Sequence, residues 1–201
     1  MRKFTENRLV LASHNKGKLE EIARLLEPFD IDIVSAADLG LPEPAETETT
    51  FLGNARIKAH AAAAYGLPAL ADDSGIEIDA LNGAPGVYTA DWAETPQGRD
   101  FGAAMTKTWH MLEAANAPYP RKARFCCTLV LAWPDGKDEF FQGTMDGEVV
   151  WPMRGDRGHG YDPIFQPAGA TRTFGEMDRW QKNLISHRAI AFRKLVEGCF
   201  T

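Results

Sequence analysis

The chain has 201 residues, 44% hydrophobic and 25% charged, the balance of one globular domain rather than of a disordered tract or a membrane protein. Its formal charge is −6, from 22 basic and 28 acidic side chains, which excludes the broad basic face of a general nucleic-acid binder but not a small anion met by a few placed lysines. The apolar run Leu9-Val10-Leu11-Ala12 is too short for a signal-peptide core, and no stretch approaches a membrane span.

Arg8 to Ser13 reads as a buried strand, followed by the loop His14-Asn15-Lys16. From Gly17 to Leu26, Leu19, Ile22, Leu25 and Leu26 recur at helical spacing until Pro28 stops the run. Ile31 to Ser35 is a second strand, and Asp38 to Glu48, rich in proline and acid, is a loop. Thr49 or Thr50 can cap a helix through Asn54, Lys58 and the alanines at 61–64, with Gly66 as its stop. Ala69-Leu70-Ala71 is a buried strand ending in Asp72-Asp73-Ser74-Gly75, after which Ile76 to Asp79 alternates like a half-buried strand. Asn82 to Gly86 is a turn-rich loop, and Asp100 to Ala115 spaces Phe101, Met105, Trp109 and Leu112 along a helix.

Arg121 to Trp133 and Lys137 to Thr144 flank Pro134-Asp135-Gly136 as a β-hairpin. Gly155 to Pro167 is a glycine-rich loop, and Ser186 to Gly198 repeats Ala189, Phe192, Leu195 and Val196 as a capped amphipathic helix. Early strands alternate with helices and later ones form a hairpin, which predicts an α/β fold, a mixed twisted sheet with flanking helices, in a single domain over 1–201. Cys126 and Cys127 point to opposite faces of their strand, and Cys199 has no evident partner. A reduced, cytoplasmic protein is the simplest reading.

Five segments can carry chemistry. Ser13-His14-Asn15-Lys16-Gly17-Lys18 lies between a strand and a helix, where free N–H groups and the helix dipole suit phosphate; it lacks Walker A spacing, and a solvated turn explains it too. Asp72-Asp73 at a strand end offers hard oxygen ligands for a cation such as Mg²⁺, or simply an Asx turn. Glu46 precedes Asn54 and Lys58, which share a helix face but also read as a surface pair. Gly158-His159-Gly160-Tyr161-Asp162-Pro163 lets a planar ligand approach its backbone, or is a structural loop. Lys182 joins Ser186-His187-Arg188, where cations at a helix start are electrostatically unfavourable without an anion; a structural histidine is the plainer reading of His187.

Taken together, the stretches LASHNKGKLEEI, AETETTFLGNARIKA, ALADDSGIEIDALNGAPGVY, GHGYDPIF and TFGEMDRWQKNLISHRAIA resemble, in order over residues 9 to 191, the inosine-triphosphate pyrophosphatase family. GHGYDPIF and ISHR argue against a Maf-like pyrophosphatase, and a turnover assay separates an enzyme from an idle nucleotide-binding module. The resemblance implies two lobes around a central nucleotide cleft, a homodimer, and Mg²⁺-dependent hydrolysis of ITP, dITP or XTP. It implies that Ser13 to Lys18 bind the triphosphate with Lys58 beside them. Asp73 is then the general base and a metal ligand, Glu46 the second ligand, and Ser74 a substrate contact. His159, Gly160, Tyr161, Asp162, Lys182, His187 and Arg188 would contact the base and its 6-oxo edge. Two positions depart from the family pattern: His159 stands for a phenylalanine, and Gly53 for a glutamate near the metal site. As a mid-helix glycine, Gly53 is expected to cost roughly 1 kcal/mol of helix stability.

Overall fold

A computed structural model describes residues 1–201, the whole chain. In order, its elements are β1 (Arg8–Leu11), α1 (Lys16–Leu26), β2 (Asp32–Ser35), α2 (Phe51–Ala63), β3 (Ala69–Ile78), the short pair β4 (Glu94–Thr95) and β5 (Gly98–Arg99), and α3 (Phe101–Ala114). Then come β6 (Lys122–Ala132), β7 (Asp138–Val149), β8 (Phe165–Pro167), α4 (Arg179–Ile185) and α5 (His187–Leu195). Six strands form one sheet in the order β2-β1-β3-β6-β7-β8. β1 runs parallel to β2 and β3 while β8 is antiparallel to β7, so the sheet is mixed, as the alternation of elements predicts.

The chain divides into two compact units. The first is Met1–Asp73, Cys127–Gly143 and Ile190–Thr201; the second is Ser74–Cys126 and Thr144–Ala189. In the first, strand periodicity sorts the core. Leu9, Leu11 and Leu70 join Ile22 and Leu26 of α1 in one cluster, while Val10, Ala69 and Ala71 join Ala55, Ala59, Ala62 and Ala63 of α2 in another. The small α2 side chains let that helix lie close to the strands. The second unit is built on aromatic rings, with Phe125 edge-on to Phe165 at 4.6 Å and Trp109 stacked on Trp151 at 5.4 Å.

Three local expectations change. Asp72-Asp73-Ser74-Gly75 does not end a strand, because β3 continues through it to Ile78. The run is polar yet lined with buried partners, which sequence polarity alone reads as a break. Phe165–Pro167 leaves the expected loop to pair with Gly147–Val149; three residues are too few to show a period. A helix, α4, precedes α5. Its signal is the capping box in which Asp178 accepts from the Gln181 N–H and Gln181 returns a bond to the Asp178 N–H.

Gly53 proves not to be a mid-helix residue. It lies in the first turn of α2 and donates its N–H to the cap hydroxyl of Thr50 at 3.0 Å. A Cβ there would stand 2.6 Å from Cβ of Glu48, so the incoming loop requires glycine.

Candidate active site

In the first unit, alternation along β3 separates the two aspartates. Asp72 shares the face of Leu70, toward α1, and Asp73 shares the face of Ala71, toward α2. Lys18 of α1 accordingly meets Asp72 at 3.1 Å, and Lys58 of α2 meets Asp73 at 3.5 Å. Lys58 also donates to Glu46 Oε1 at 2.6 Å, so two carboxylates grip one ammonium. Asp72, Asp73 and Lys58 are all buried.

The electrostatics follow from this crowding. Burial pushes the Asp73 carboxyl up to about 6; Lys58 pulls it down, Glu46 adds to the rise, and Lys18 and Asp72 act in opposite senses. Lys58 is the mirror case. Burial would lower its ammonium, but Asp73, Asp72 and Glu46 outweigh that and raise it. The two directions agree, since Lys58 faces three carboxylates whereas Asp73 faces cations and carboxylates alike.

The other members of this segment are tied locally. Asn15 caps α1 by accepting from the Lys18 N–H, and Ser13 Oγ accepts from the Asn15 N–H. Lys16 is exposed and Gly17 half-buried at the helix start. His14 turns to the acidic loop, with Nε2 donating to the Leu41 carbonyl at 3.2 Å. Asn54 is buried and accepts from the Glu48 N–H at 2.9 Å, so it anchors the loop rather than presenting itself beside Lys58.

No group of three or more His, Cys, Asp or Glu side chains is placed to hold a metal ion. Asp73 and Glu46 nevertheless suit Mg²⁺: they are hard oxygen donors converging on one cation, and this metal commonly takes one or two carboxylates and completes its shell with phosphate and water.

The second unit carries the other cluster. Asp162 is 2% exposed; its Oδ2 accepts from Lys182 Nζ at 2.6 Å and from the His159 N–H at 2.7 Å. Gly158 has φ +79°, and a Cβ there would fall 2.0 Å from that same oxygen, so the loop needs glycine to wrap the carboxylate. The Lys182 ammonium lies 5.4 Å over the Phe174 ring. His187 stacks on Phe125, centroids 4.8 Å apart and planes 13° apart, and Arg188 Nη2 donates to Ser74 Oγ at 3.2 Å.

Two side chains sit otherwise than their motif suggests. Tyr161 is 1% exposed, its ring edge-on to Phe101, and burial pushes its phenol up to about 12 against the pull of the Thr108 hydroxyl. It shapes the loop from inside. His159 is exposed, with its ring outside the core. Sequence reasoning missed Phe125 and Phe174, which carry His187 and Lys182, because in sequence each reads only as a core aromatic.

Fold and clusters together define a mixed α/β protein whose buried lysines are held against carboxylates. The chain belongs to the Ham1 family, whose model matches residues 9–198. It is 66% identical to a dITP/XTP pyrophosphatase of Ruegeria pomeroyi, over 99% of this chain and 98% of the relative, and 56% identical to one of Agrobacterium fabrum, over 99% of each. Among solved structures it resembles a HAM1 protein from Coxiella burnetii, with TM-score 0.87, 38% identity, and 96% and 98% of the two chains covered.

Proposed function

We propose that this protein hydrolyses the non-standard purine nucleoside triphosphates ITP, dITP and XTP to the monophosphate and pyrophosphate. The observation that carries the reading is the cluster in which Lys58 is gripped by Asp73 and Glu46 while Lys18 reaches Asp72 from the start of α1. The names of the relatives at 66% and 56% identity support the same substrate class.

Water attacks the α-phosphorus, and the bond to the bridging oxygen of the β-phosphate breaks. Asp73 orients the water and takes its proton. Lys18 and Lys58 neutralise charge on the phosphoryl oxygens, with Ser13, Asn15, Lys16 and Gly17 cradling the phosphates at the helix start. Asp73 and Glu46 would hold Mg²⁺, which when bound would supply further charge neutralisation for the pyrophosphate. Lys182, His187 and Arg188, with Ser74, His159, Gly160 and Asp162, read the base. Donors aimed at a 6-keto oxygen are left unpaired by adenine's amine, which penalises ATP. We take the protein to act in the cytoplasm as a homodimer. Its three cysteines are buried, and no helix is long and apolar enough to cross a membrane.

The bond assignment is tested by incubation with ITP and Mg²⁺ and separation of products: IMP and pyrophosphate are expected, and IDP with orthophosphate as primary products would overturn the mechanism. The base contact is tested at His159. An imidazole keeps a flat aromatic face, and base–aromatic stacking is worth about 1–3 kcal/mol in nucleic-acid proteins. His159→Phe should retain activity, while His159→Ala should raise KM for ITP several-fold with little change in kcat, because stacking is similar in ground and transition states. An unchanged KM in His159→Ala removes this residue from the base site.

A further inference from the structure

We infer that His14 is a positioning residue for the Asp73 site: its imidazole clasps the 38–48 loop and so sets Glu46 against Lys58. The inference rests on the pyrophosphatase reading of that site. Both ring nitrogens of His14 face the loop rather than the start of α1. A carbonyl oxygen only accepts, so the Nε2–H donates to Leu41 O at 3.2 Å, and Nδ1 lies 3.9 Å from the Glu43 carboxylate. The loop has firm ties at its two ends. Before the gap, Leu41 is buried and its N–H donates to Ala36 O at 2.9 Å. Beyond it, Glu46 bonds Lys58 at 2.6 Å and the Glu48 N–H donates to Asn54 at 2.9 Å.

Between these ties, residues Pro42 to Pro44 cross a cavity of about 130 Å³ whose walls include His14, Leu41, Glu43 and Lys58. Pro42 and Glu43 are exposed and Pro44 is half-buried, so packing does little to hold the loop there. The polar clasp from His14 takes that part. Lys58 lines the same cavity, so a shift of the loop moves the Glu46 carboxylate relative to the ammonium it holds. His14 thereby acts through Glu46 and not on the phosphates.

Three variants and two readouts decide this. A glutamate-specific protease can cut this segment at Glu46–Thr47 and at Glu48–Thr49, told apart by fragment mass, whereas Glu43 is shielded by the proline after it. In His14→Ala, nicking at Glu46–Thr47 should accelerate roughly tenfold as the loop opens more often. Turnover of ITP should fall by roughly tenfold, as when other supporting partners of a site are lost, while inhibition by inorganic tripolyphosphate stays unchanged. His14→Gln, whose amide N–H can reach the Leu41 carbonyl, should restore both. In a Glu46→Gln background His14→Ala should add no further loss of turnover. Unaltered nicking together with weakened tripolyphosphate inhibition would overturn the inference and make His14 a phosphate contact. A native protein that releases no pyrophosphate would instead sink the pyrophosphatase reading, and the nicking comparison would still decide whether His14 clasps the loop.

Discussion

Asp73→Asn is expected to lower ITP turnover by at least roughly a hundredfold, the usual cost of losing a general base, while leaving the protein no less stable at pH 7. The second half of that expectation follows from the raised carboxyl. A group that ordinarily titrates at 3.8 and is held at about 6 in the folded protein binds protons more readily folded than unfolded. Its contribution is therefore favourable at low pH and is lost as pH rises through about 6, leaving a penalty on the order of 3 kcal/mol at pH 7. Asparagine keeps the shape and removes that penalty, and Lys58 retains its 2.6 Å bond to Glu46. In thermal melts without added metal, the variant should match or exceed the native protein at pH 7, and the difference should shrink toward pH 4. Asp72→Asn, on the opposite face of β3 beside Lys18, is the comparison. If it abolishes turnover while Asp73→Asn does not, the general base is the neighbouring residue.

Removal of the Asp162 carboxylate should cost more stability than any other single change at the candidate site. It accepts two short bonds, from Lys182 and from the His159 N–H, and both Asp162 and Lys182 are buried. Asp162→Ala leaves the ammonium buried without its counter-charge, a loss of about 3–5 kcal/mol where such pairs are broken. For a chain of this size that corresponds to a melting temperature lower by roughly 6 to 20 °C. The double variant Asp162→Ala, Lys182→Met removes the stranded charge and should recover part of the loss. Equal melting temperatures for Asp162→Ala and the native protein would show that solvent reaches Lys182 and that the pair is weak. The same measurement bears on function, since Lys182 is proposed to read the base and is held in place by this carboxylate.

Much of this was legible without coordinates wherever the information is local. The spacing in Gly17 to Leu26 and in Asp100 to Ala115 marks α1 and α3, and Thr50 and Asp100 cap their helices by accepting from the N–H three residues on. The separation of Asp72 from Asp73 follows from the two-residue period of any strand, and the motif order alone carries the family. Each of these depends on residues within a turn or two of one another, where backbone geometry leaves few choices.

Which lysine meets which aspartate, by contrast, depends on where α1 and α2 pack against β3, and only the tertiary structure decided it. The same holds for Phe125 under His187, for the turn of His14 toward Leu41, and for Gly53, whose reason is the side chain of Glu48 lying across the helix start. It also holds for β3, which continues through four residues that read as a break because burial against distant partners compensates their polarity. Long-range packing selects partners among many chemically equivalent candidates, and that selection is made by the summed fit of the whole core, which no short window of sequence contains.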